Sequence, residues 1–143
     1  MRRPWNRSSL AVTPALLALL VFVAAAAPGC GSGAKRPMTT LELNPDATGV
    51  QKAKLELHSF YFEPNRIVVH AGRPVELTLH NHSLVVPHNF TISDEAISVS
   101  QGVGRKRTHV VRFTPDRPGE YQFFCHVGSH AKKGMTGELV VIP

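Results

Sequence analysis

The sequence predicts an all-β fold, an antiparallel sandwich or barrel, on three observations. Short runs alternate apolar and polar residues, as strands with one buried face do. Gly, Pro, Asn and Asp break those runs at close intervals. No stretch of the body carries the apolar period of an amphipathic helix, so sheet-on-sheet packing is the class left.

The elements follow in order. KAKLELHSFYF (residues 52–62) alternates, with Leu55 and Leu57 on one face and Lys54 and Glu56 on the other. EPN breaks it, and RIVVH (66–70) is a β-branched run ended by AGRP. PVELTLHN (74–81) has period two, with Val75, Leu77 and Leu79 inward and Glu76, Thr78 and His80 outward. The loop HSLVVP (82–87) leads into HNFTI (88–92), and residues 93–107 read as irregular. HVVRF (109–113) is a further strand, TPDRPG (114–119) a turn-rich connector, and EYQFFC (120–125) places Tyr121, Phe123 and Cys125 on one face. GELVVIP (137–143) closes the pattern as a seventh strand. Spacing alone does not give the order of strands in the sheets.

Ahead of this body, residues 1–29 have the three parts of an export signal. MRRPWNR is positive, LAVTPALLALLVFVAAAA is apolar, and small residues lead to PGC. Thr13 and Pro14 interrupt the apolar part, which favours a cleaved signal over a membrane-spanning anchor. Gly29-Cys30 resembles a bacterial lipoprotein signal, with departures at Pro28 and Ala27. Acylation of Cys30 is therefore one expectation, and cleavage near Ala27 the other. Residues 30–50, small, polar and Pro/Gly-containing, read as a tether, and residues 51–143 as the domain. The expected location is periplasmic or otherwise extracytoplasmic.

The formal charge is +6, but without Arg2, Arg3 and Arg7 only 13 basic residues face 10 acidic ones. That balance, without a basic-aromatic sheet pattern, speaks against a nucleic-acid partner. With Cys30 acylated or removed, Cys125 stands alone and cannot form a disulfide within the domain. A lone thiol in an oxidising compartment is a liability unless something occupies it, and a metal ion is one such occupant.

Cys125 ends a strand, and His130 and Met135 follow at five-residue steps, C-x4-H-x4-M. A loop joining adjacent strands can fold back so that all three side chains converge. His88 is the best source of a second imidazole, because VPHNF sits where a loop re-enters the sheet. One thiolate, two imidazoles and one thioether suit copper in both oxidation states, whereas zinc seldom takes a thioether. His126 follows Cys125 at a strand end, so its side chain should point to the opposite face.

VPHNFTI followed by GEYQFFCHVGSHAKKGMTGELVV resembles the cupredoxins, the plastocyanin and azurin family of blue-copper proteins, over most of residues 52–143. The resemblance implies a Greek-key β-sandwich of about seven to eight strands and one type 1 copper ion near one end. It implies His88, Cys125 and His130 as the equatorial ligands and Met135 as the axial one. It also implies that Asn89 ties the two ligand loops together by hydrogen bonds. Gly128-Ser129 stands where many members have Pro-Gly, and His126 where many have a small polar residue.

The expected activity is electron carriage between redox partner proteins by a monomer, not enzymatic conversion of a substrate. Two alternatives use the same ligands. One is a periplasmic copper carrier. The other is a red-copper-like catalytic site with Met135 displaced, for which Glu63 or water would supply an oxygen. His58, His70, His80, His82 and His109 read as exposed or hydrogen-bonded, and Lys132, Lys133 and Arg105-Lys106-Arg107 as solvated charge or a surface that steers an acidic partner.

Overall fold

The computed structural model describes residues 36–143. The expected export signal, residues 1–29, and Cys30 lie outside the described residues. Ten strands form two sheets: β1 Thr40–Glu42, β2 Gln51–His58, β3 Tyr61–Glu63, β4 Arg66–His70, β5 Val75–Asn81, β6 His88–Ser93, β7 Ser98–Val103, β8 Thr108–Phe113, β9 Gly119–Phe124 and β10 Thr136–Ile142. One sheet has the order β1-β4-β10-β9-β6-β7 and the other β3-β2-β5-β8. The two pack as a Greek-key β-sandwich. Among the described residues no helix is long and apolar enough to cross a membrane.

Alternation fixes which face of each strand is buried. Leu55, Leu57, Val75, Leu77, Leu79, Ile67, Val69, Leu139 and Val141 fill the space between the sheets. Glu76, Thr78 and His80 lie on the opposite face of β5, as the period-two pattern requires. Phe62, Phe90 and Phe123 are fully buried and pack edge-on or tilted, with Phe123 centroids 5.1 Å from Phe62 and 5.2 Å from Phe90. Burying each such ring contributes about 1.5–3 kcal/mol. The Tyr121 hydroxyl donates to the Arg117 carbonyl at 2.8 Å, pinning the connector into β9.

Four features depart from the sequence reading. KAKLELHSFYF is two strands, not one: the chain turns at Ser59-Phe60 and β3 runs back along β2. Residues 93–107 contain β7, an edge strand whose alternation is weak because Ser98, Ser100 and Gln101 dominate it. The tether contributes β1, which pairs with β4, and Leu43 beyond it is buried, so the sandwich begins before residue 51. Finally, the sheets are mixed. β1–β4, β4–β10 and β2–β5 are parallel pairs, while the remaining pairs are antiparallel. A parallel pair needs a long crossover. Between β2 and β5 that crossover is built from β3 and β4, and β4 belongs to the opposite sheet.

Candidate metal centre

Two strands of the six-stranded sheet carry the donors to one end of the sandwich. His88 opens β6, and Phe90 lies two residues further on the same face. Cys125 directly follows β9, and Phe123 lies two residues earlier on its own face. β6 and β9 pair antiparallel with Ile92 opposite Phe123, so the packed Phe90–Phe123 rings form a floor beneath the thiol and the imidazole. Continuing that register places Asn89 opposite His126.

The loop after Cys125 closes on itself. The Cys125 N–H donates to the Met135 carbonyl at 3.1 Å, extending the β9–β10 ladder across the loop mouth. The His130 carbonyl accepts from Lys133 N–H at 3.0 Å and Met135 N–H at 3.1 Å. A 3-10 turn, Ala131–Lys133, occupies the gap, and Gly134 ends it at φ 99°, a left-handed conformation that suits glycine. Gly137 has a different role. A Cβ there would lie 2.2 Å from Phe123 Cζ, so β10 approaches the aromatic floor only because this residue has no side chain.

His88, Cys125 and His130 converge. The His88 and His130 Nδ1 atoms are 3.2 Å apart, and Cys125 Sγ lies 3.4 Å from the second and 4.0 Å from the first. A triangle with those sides has all three corners about 2.1 Å from a common centre, where metal–nitrogen and metal–sulfur bonds run about 2.0–2.3 Å. All three residues are buried, His88 to 1% exposure, and Met135 is fully buried at the closing end of the loop. Glu63 is exposed on β3 and takes no part in this group.

The surroundings prepare the donors. Ser59 Oγ lies 3.3 Å from His88 Nε2. With Nε2–H donating to that hydroxyl, Nδ1 keeps its lone pair towards the other donors. Burial, then the nearby His130 and His58, lower the His88 pKa to about 4. Burial and the Lys133 charge lower that of His130. Both shifts favour the neutral ring that a metal requires. Asn89 links the segments that carry His88 and Cys125: its backbone N–H points to Cys125 Sγ at 3.4 Å, and its Oδ1 accepts from the His126 N–H at 2.8 Å. The His126 ring turns away from the thiol, onto Asn89 Nδ2 at 2.7 Å and Thr91 Oγ1 at 3.0 Å.

Three neighbours were missed in the sequence. Ser59 and Phe60 sit in the β2–β3 turn, far from the donors in sequence, yet Ser59 meets His88 and the Phe60 ring packs 4.6 Å from His130. Asn81 is fully buried; its Nδ2 donates to the carbonyls of Val86 and Val103, each at 3.1 Å, and its Oδ1 accepts from Ser83 N–H. It holds the loop that delivers His88. A hint lay in its polar character at the inward position of a period-two strand.

A β-sandwich with a buried His2Cys cluster, and a methionine closing the same loop, defines a class of copper-binding domains. The chain belongs to the cupredoxin family: it matches the cupredoxin-like domain over residues 15–141. Among solved structures it resembles the metal binding domain of the Cu(I)-exporting P-type ATPase of Streptococcus pneumoniae, with 22% identity, TM-score 0.60, and coverage of 76% of this chain and 100% of that one. It also resembles auracyanin from Roseiflexus castenholzii, with 19% identity, TM-score 0.59 and coverage of 64% and 97%. Auracyanin A, a "blue" copper protein of Chloroflexus aurantiacus, has 21% identity, TM-score 0.59 and coverage of 66% and 100%. A search of curated proteins finds no significant match.

Proposed function

We propose that the chain is an exported type 1 (blue) copper protein that carries single electrons between redox partner proteins. The observation that carries this reading is the buried triangle of His88 Nδ1, His130 Nδ1 and Cys125 Sγ. In this reading those three are equatorial ligands, Met135 is the axial one, and Asn89 supports the thiolate. Bound copper would supply a one-electron Cu(II)/Cu(I) couple. The protein's own part is to hold the donors still. His88 and Cys125 are fixed by paired strands, His130 by its doubly accepting carbonyl, and the ring of His88 by Ser59. Donors that barely move between oxidation states keep the reorganisation cost of electron transfer low. The blue-copper neighbours support the reading.

The surface near the site suits transient docking. Leu84 and Val85, in the loop before His88, are 75% and 74% exposed. Lys132 and Lys133 lie within the ligand loop and would speed encounter with an acidic partner in a salt-dependent way. A lipid on Cys30 would keep the domain at a membrane.

Copper-loaded protein should show an intense blue thiolate-to-copper absorption that disappears on reduction and is missing from Cys125→Ala. A colourless copper complex, or colour that survives in that variant, overturns the proposal. A second reading, a copper carrier, draws support from the similarity to the Cu(I)-exporter domain. Competition with a chelator separates the two, because a carrier gives up its ion quickly and an electron carrier retains it.

A further inference from the structure

The outer face of the four-stranded sheet holds a second cluster of metal-binding side chains. β2 and β5 run parallel with Glu56 opposite His80. The His82 N–H donates to the Leu57 carbonyl at 2.9 Å, so the pairing continues one step and brings His82 beside His58. The result is a two-by-two array of outward side chains, Glu56 and His58 on one strand and His80 and His82 on the next.

The four are in contact. A Glu56 carboxylate oxygen meets His82 Nε2. The His82 ring stacks on His58 at 4.5 Å and meets His80 edge-on at 4.6 Å. One donor atom from each of Glu56, His80 and His82 lies within 4.8 Å of the others. Both flanks are braced: Thr108 Oγ1 is 2.8 Å from His80 Nδ1, and Tyr61 stacks on the other side of the histidine array, 4.5 Å from His58. Lys54 Nζ engages the second Glu56 oxygen, leaving the first to face His82. An ordinary surface ion pair would need only Glu56 and one cation. Here two imidazoles, His80 and His82, bring donor atoms to one carboxylate, and a third, His58, stacks on His82.

We propose that Glu56, His80 and His82 form a second metal site, for a divalent ion of borderline softness such as Cu(II) or Zn(II). His58 acts as a positioning residue through its stack on His82. Two imidazoles and one carboxylate suit these ions, and the absence of sulfur gives no preference for Cu(I). The cluster is partly exposed, so water completes the coordination shell. On binding, the ion takes the place of the direct contact between His82 Nε2 and the Glu56 carboxylate, and any hydrogen held on that nitrogen leaves to solvent as a proton. His58 directly precedes Ser59, the partner of His88, in the chain.

The test is metal stoichiometry in the full chain. Metal-free protein is titrated with Zn(II) by calorimetry, beside His80→Gln, His82→Gln and Glu56→Gln, with unfolding temperatures recorded for each. The expected result is one bound ion fewer per chain in the histidine variants than in the parent, with a normal fold, and at least tenfold weaker binding in the Glu56 variant. The readout is a difference of one ion, so it stands whether or not the Cys125 centre fills. Equal stoichiometry and affinity in the parent and all three variants overturns the proposal.

Discussion

The backbone N–H of Asn89 points at the sulfur of Cys125 across 3.4 Å, joining the first residues of β6 to the end of β9. The Asn89 side chain adds a second tie through the His126 N–H. Asn89→Ala keeps the first and removes the second. Leaving that partly buried donor unpaired should cost about 1–3 kcal/mol. Urea unfolding of the metal-free protein checks this, and the visible band of the copper form should shift as the Cys125 loop relaxes.

Ser59→Ala removes the only side-chain partner that the described residues offer His88 Nε2. The ring is then free to rotate or change tautomer. Metal retention should fall by roughly 10- to 100-fold, as for other lost partners of ligand imidazoles. Chelator competition measures it, and overall stability should change little.

Acid should weaken the metal-free protein before the carboxylates titrate. The folded His88 pKa is held at about 4, below the ordinary 6.5. Between those values the unfolded chain binds more protons than the folded one, so stability falls with falling pH. The contribution is fully present above the ordinary value and is lost progressively down to about 4. His130, also lowered, acts in the same direction. Asp46, lowered by Lys52 and Thr48, adds its loss only at more acid pH, below the ordinary carboxylate value. Denaturant midpoints of metal-free protein at neutral pH and at pH near 4 should show the decline, and bound metal should suppress it.

Gly137→Ala forces a methyl group into the Phe123 ring and towards the Asn65 carbonyl. Overpacking of this kind costs about 1–3 kcal/mol. Thermal unfolding reads the loss. The copper band should broaden, because Phe123 supports Cys125.

β5 could be read from sequence because its two faces meet different media. Leu77 and Leu79 enter the core, while Thr78 and His80 meet water. β7 could not, because an edge strand with one polar and one half-covered face leaves little contrast. β1 is three residues long and held mainly by backbone pairing with β4, which composition does not record. The centre shows the same division. Cys125 and His130, which the structure brings together, share one loop with Met135, so their spacing could be read as one motif. Ser59 reaches His88 only through the packing of the β2–β3 turn, and serine in a turn is unremarkable. His80 and His82 looked like separate surface residues until the β2–β5 register set them beside Glu56.

The parallel pairing of β10 with β4 bears on how the protein folds. Leu139 and Ile67 are about seventy residues apart yet adjacent in the sheet, and contacts of such high sequence separation slow folding. β10 is an interior strand, between β4 and β9. The loop from Cys125 to Met135 takes its shape from the β9–β10 ladder, so the three clustered donors should meet only once that strand is inserted. In the proposed copper form, metal added during refolding would then be captured only after β10 has paired, which following thiolate-to-copper absorption against tyrosine fluorescence would show.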